Sequence, residues 1–95
     1  MHAVFRTYSG KGAKELFDTI EKNKTDVENV LRSVKGFVGY SLVRTSDGGV
    51  SMTVCQDKAG TAESSAKAKD WIKQNAPKAG ASAPVITEGS VLLHL

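Results

Sequence analysis

The stretch Ser33-Val34-Lys35-Gly36-Phe37-Val38-Gly39-Tyr40 marks a change of hydrophobic period, which fixes a helix-to-strand junction near the middle of the chain. Upstream, Ala13, Leu16, Phe17, Ile20, Val27, Val30, Leu31 and Val34 recur at helical spacing. That spacing predicts one helix over residues 13–33 with a single apolar stripe. Lys24 interrupts the stripe midway, where its aliphatic stem can still cover apolar surface. Downstream, residues 37–45 are dominated by aromatic and β-branched side chains, which suit a pleated strand. Gly36 stands where a left-handed residue closes a helix without a Cβ penalty. Arg32 and Lys35 lie at the carbonyl end, where the helix dipole favours cations. Gly39 inside the strand suggests a bulge.

The rest of the chain falls around this junction. His2 to Ser9 is expected to be the first strand, with Ala3, Phe5 and Thr7 on one face and His2, Val4, Arg6 and Tyr8 on the other. Neither face is cleanly apolar, so alternation leaves open which one meets the helices. Asp47-Gly48, between two alternating segments, predicts a hairpin turn with both central positions at positive φ. The third strand, Val50 to Gln56, then pairs antiparallel with the second and offers Val50, Met52 and Val54 on one face and Ser51, Thr53 and Cys55 on the other. Thr61 is the expected N-cap of a second helix that runs to about Asn75 and stops before Pro77. Ala62, Ala66, Ala68, Trp71 and Ile72 are its expected inward side. A last strand is expected over Pro84–Thr87 and Gly89–Leu95. The order β-α-β-β-α-β is the ferredoxin-like pattern, an α+β fold with a four-stranded antiparallel sheet and two helices on one face.

Two helices cover only one face of such a sheet. The other face is left with apolar residues drawn from Phe5, Tyr8, Tyr40, Val43, Leu92 and Leu93. An exposed apolar face on a chain this short points to an interface. The expected partner is a second copy of the chain, joined sheet to sheet as a homodimer that encloses a cavity.

The 95 residues fit one domain. Apolar content of 40% and charged content of 24% suit a globular protein. No apolar run is long enough to span a bilayer, so no membrane partner is expected. The start of the chain shows no basic region followed by a long apolar one, and the single Cys55 allows no internal disulfide. A cytoplasmic location is the expectation. The net charge of +3 is carried mostly by lysines dispersed among acids, which speaks against nucleic acid as a partner.

The side chains able to hold a ligand are Arg6, Tyr8, Tyr40, Arg44 and Trp71. The tyrosines either pack with satisfied hydroxyls or orient a phenolic ligand. The arginines either form ion pairs or hold an anionic group. Trp71 either fills core or walls a pocket. Cys55 has no local base and is expected to be a small buried residue. His2 and His94 lie on strands expected to be neighbours, but no third ligand accompanies them, so no metal site is expected. No Ser-His-Asp set, CxxC pair or phosphate-cradling loop is present, and catalytic residues remain unassigned.

Four segments together resemble the antibiotic-biosynthesis-monooxygenase type of domain: residues 33–40, Asp47-Gly48-Gly49-Val50, Ala62-Glu63-Ser64-Ser65 and Thr87-Glu88-Gly89-Ser90-Val91. The resemblance spans nearly the whole chain. It implies a dimeric α/β barrel and a small aromatic or apolar ligand in the barrel, oxidised in some members without a cofactor. Other members degrade haem, using an Asn on the first strand, a Trp near the start of the second helix and a His beyond. Here residues 2–9 contain no Asn, and Cys55-Gln56-Asp57 stands where that Trp is usual. No cofactor is therefore expected. The alternative is a homodimer that binds or senses a ligand without catalysis.

Overall fold

In the computed structural model, which describes residues 1–95, the first strand lies inside the sheet. β1 (His2–Ser9) pairs antiparallel with β3 (Gly48–Cys55) on one side and with β4 (Val85–Ser90) on the other. β2 (Phe37–Thr45) pairs antiparallel with β3, giving the order β2-β3-β1-β4. The helices α1 (Ala13–Lys22), α2 (Lys24–Arg32) and α3 (Lys58–Asn75) complete a ferredoxin-like α+β architecture. No helix is long and apolar enough to cross a membrane.

The expected helix over 13–33 is two helices. Six polar residues, Glu21 to Asp26, separate Ile20 from Val27, so no apolar side chain holds the middle of the segment to the sheet. At the break, the Asn23 side chain donates to the Thr19 carbonyl at 2.8 Å, and its backbone N–H turns to Ile20 at 3.0 Å. Asparagine competes with the helical ladder in this way. Gly36, at φ 79°, closes the segment as expected.

The register decides the two faces of the sheet. Cross-strand partners share a face, so Val4, Arg6 and Tyr8 lie with Thr53, Ser51 and Gly49. This face is the covered one: Tyr8 meets Phe17 of α1 edge to face, with ring centroids 5.9 Å apart. Gly49 is needed there because a Cβ would overlap the Phe17 ring. Leu16, Phe17 and Ile20 of α1 and Trp71 of α3 are buried in the same cluster. The opposite face carries Phe5 and Thr7, Val50, Met52 and Val54, Ser41 and Val43, and Val85 and Thr87, with no charged residue among them. Tyr8 and Tyr40, expected among candidates for the open face, are therefore on the helix side. Leu92 and Leu93 are exposed beyond the end of β4.

Three other expectations need correcting. The hairpin exists, but Thr45 pairs with Gly48, so its two-residue loop is Ser46-Asp47, and no non-glycine residue has positive φ. The N-cap of α3 is Asp57, whose side chain accepts from the Gly60 N–H at 3.0 Å, while Thr61 is buried one turn in. The last strand stops at Ser90, opposite His2 at the start of β1, and a single further backbone bond, from the Val91 N–H to the Met1 carbonyl at 3.0 Å, ends the pairing. Consequently His2 lies across from Ser90 rather than His94. His2 instead places Nδ1 2.7 Å from Thr61 Oγ1 and Nε2 3.5 Å from Glu88 Oε1, fastening β1 to α3 and β4.

Candidate ligand-binding site

A narrow chamber of about 30 Å3, room for about one water, lies between the sheet and the helices. Arg6, Tyr8, Tyr40 and Trp71 all line it. Its remaining walls are chiefly aliphatic, including Ile20, Val27, Leu31 and Ile72. Two larger grooves flank it. One of about 490 Å3 runs between α2 and β2 and shares Tyr40 and Leu42 with the chamber. The other, of about 410 Å3, runs between α3, residues 81–84 and β4, and shares Arg6 and Tyr8. The three spaces thus form a line from one side of the helical layer to the other.

Arg6 is the electrostatic centre of this line. It is 2% exposed. Its Nε donates to Ser51 Oγ at 3.1 Å and its Nη2 to Thr53 Oγ1 at 2.7 Å, both on β3. Its Nη1 donates to Ser65 Oγ at 2.9 Å and Ser64 Oγ at 3.5 Å, on α3. Four of the five guanidinium N–H groups thus meet hydroxyls, and none meets a carboxylate. Burial pulls the Arg6 pKa down, and nearby Tyr40, Tyr8 and Cys55 partly oppose this. Burial also raises the pKa of Tyr8 and Tyr40, and the Arg6 charge works against both rises. Both phenols therefore keep their protons at neutral pH.

Trp71 spans the helical layer: its ring lines the chamber, and its Nε1 donates to Asp26 Oδ2 on α2 at 2.7 Å. Arg44, the fifth candidate, is not with the others. It is half-exposed beside α1, paired with Glu21 at 3.0 Å and Asp18 at 3.2 Å. Cys55 is buried, and burial followed by the charges of Asp57 and Glu63 pushes its thiol up, away from the nucleophilic thiolate.

The hydroxyls that hold Arg6 went unread in the sequence. Of the expected inward side of α3, Ala68, Trp71 and Ile72 line the chamber, but Ala62 and Ala66 are exposed, while Thr61 and Ser64 are buried. A buried guanidinium needs acceptors more than the sheet needs methyl groups. The available signal was the uncharged, hydroxyl-bearing face of β3, Ser51 and Thr53, two strand positions apart.

The fold is ferredoxin-like. Solved structures share it over nearly their whole length. One is a dimeric ferredoxin-like protein from an uncultured marine organism, with 11% identity, a TM-score of 0.65, and coverage of 99% of this chain and 94% of that one. Another is SnoaB, a cofactor-independent oxygenase from Streptomyces nogalater, with 18% identity, a TM-score of 0.59, and coverage of 99% and 93%. A third is a monooxygenase from the gene ActVA-Orf6 of Streptomyces coelicolor in complex with nanaomycin D, with 18% identity, a TM-score of 0.57, and coverage of 98% and 91%. The oxygenases are of the kind the sequence resembles; at these identities the likeness establishes the fold. Neither a family model nor a curated protein matches the chain.

Proposed function

We propose that this chain binds a small, flat, partly apolar molecule between its sheet and its helices, as a homodimer joined through the open sheet faces. The observation that carries the reading is the convergence of Arg6, Tyr8, Tyr40 and Trp71 on one chamber flanked by two grooves. Aromatic walls with a few directed polar groups suit an aromatic ligand. The chamber is too small for one as it stands, so a ligand seats in a groove or parts the helices from the sheet. Such a ligand lies inside each copy, not in the cavity between two sheets that the sequence leads one to expect. The dimer is supported by the uncharged open face, where Phe5, Val43 and Val85 are 39%, 54% and 68% exposed.

Cofactor-free oxidation of a phenol or quinol is the narrower form of the proposal, supported by SnoaB as a fold neighbour. One observation favours binding without chemistry: no imidazole or carboxylate lines the chamber to act as a base. An oxidisable phenol or quinol would have to arrive already ionised. Trp71, the only tryptophan, makes the test direct. Titration with a panel of phenols and quinols should quench its fluorescence saturably, and oxygen uptake with the same panel separates oxidation from binding. No saturable change with any member sinks the ligand reading. Light scattering should find a dimer at micromolar concentration and a folded monomer for Phe5→Lys; a monomeric wild type removes the interface.

A further inference from the structure

The groove between α3, residues 81–84 and β4 has a one-sided charge. Arg6 lies at its floor and Lys69 at its exposed rim, and no carboxylate lines it. Neither cation belongs to an ion pair. The groove between α2 and β2 differs: it contains Glu28, which holds Arg32 at 2.8 Å.

Burying a guanidinium is costly unless its charge is met as well as its N–H groups. The hydroxyls around Arg6 meet the N–H groups and carry no charge. Tyr8 and Tyr40 keep their protons at neutral pH, as does buried Cys55, so none of them supplies the missing negative charge. The chain places an unanswered positive charge where a groove of about 410 Å3 reaches it, and walls that groove with Leu16, Ile72 and Ile86.

We infer that this groove is the anion-binding end of the ligand site and takes a small aromatic molecule bearing a carboxylate or phenolate. The anionic oxygen faces Arg6 and Lys69, and the ring lies against the aliphatic wall. Carboxylate and phenolate share the chemistry that Arg6 recognises, and an uncharged analogue leaves the cation unanswered. The inference rests on the small-molecule reading above and adds the charge class of the ligand and the end of the site that reads it.

Calorimetric titration with naphthoate, its neutral amide naphthamide, and nitrophenol at a pH where it is ionised tests this. At least one anion should bind about tenfold or more tighter than naphthamide, a preference that charge-assisted hydrogen bonds supply. The stronger anion identifies the headgroup. Lys69→Met and Arg6→Met should each cut that preference several-fold, with the smaller loss at Lys69, which water and salt screen. If Arg6→Met does not fold, Lys69→Met decides, since Lys69 is exposed on α3. Naphthamide binding as tightly as the anions, or a preference untouched in Lys69→Met, overturns the charge assignment and leaves the small-molecule reading standing. No binding of any of the three overturns both.

Discussion

On the covered face of β3, Ser51, Thr53 and Cys55 lie beneath the helices, whereas Val50, Met52 and Val54 stand on the face the helices leave bare. In most antiparallel sheets the apolar side is the core side. Here the monomer puts hydroxyls inside and aliphatic groups outside. The inner hydroxyls accept from Arg6, which has no other acceptors on β3. Of these outer side chains Val54 is already buried, at 3% exposure, while Val50 and Met52 are only partly covered within the chain, and a second copy is proposed to cover the rest. An inverted strand therefore carries two messages, a buried polar centre on one side and an unfilled contact on the other.

Substitutions can break or sharpen that contrast. Leu16, with 0% exposure, belongs to the helix side, and Leu16→Ala should cost about 2–5 kcal/mol. Val85→Thr on the open side should stay within about 0.5 kcal/mol in dilute, monomeric samples. Equal urea midpoints for the two variants would mean the faces are not different at all. Next comes Thr53→Val, which keeps the shape but takes an acceptor from Arg6; a loss of about 1–3 kcal/mol is expected. A neutral outcome there would show that the guanidinium finds water instead.

Alkaline pH gives a gentler probe of the covered side. Burial raises Tyr8 and Tyr40 above their ordinary value of 10.0, while in the unfolded chain they ionise near it. The stability from holding them neutral is complete below about pH 10 and is lost as pH climbs through the folded values. Urea midpoints should fall in that window, and fall less for Tyr8→Phe with Tyr40→Phe. Identical slopes in the two proteins would place the titration elsewhere. Arg44→Ala, removing an exposed pair of contacts to α1, should cost under about 1 kcal/mol and vanish in high salt.

How much of this could be read beforehand depends on which force sets each feature. The bounds of β1 and β2, and the stop at Gly36, follow from local propensity and backbone freedom, and the sequence shows them directly. The placing of Ser64 and Ser65 on the inward side of α3 follows from Arg6, a residue about sixty positions away, so Ala62 and Ala66 misled and the serines gave no local sign. The break at Asn23 turns on a side chain competing for one carbonyl, which hydrophobic periodicity does not register. Of the five candidates chosen by residue type, Arg6, Tyr8, Tyr40 and Trp71 come together around one chamber. Arg44 has the same chemistry as Arg6 and differs only in having acids within reach, a fact of tertiary placement. Lys69, one of many dispersed lysines, gains meaning only from the groove beneath it.

The position of β1 also sets when the molecule can fold. Val4 pairs with Thr53 on one side and Glu88 on the other, so β1 cannot complete its pairing until β4, far later in the sequence, has been made. Only the β2–β3 hairpin, closed by Ser46-Asp47, can form from neighbouring residues. Pairings between such distant segments pay their loop-closure entropy before they gain contacts, and folding slows accordingly. During synthesis β1 therefore exists as an unpaired segment, His-Ala-Val-Phe-Arg-Thr-Tyr-Ser. Arg6 within it, a burden to the finished core, is then a charge that discourages that segment from pairing with its counterpart on a neighbouring nascent chain.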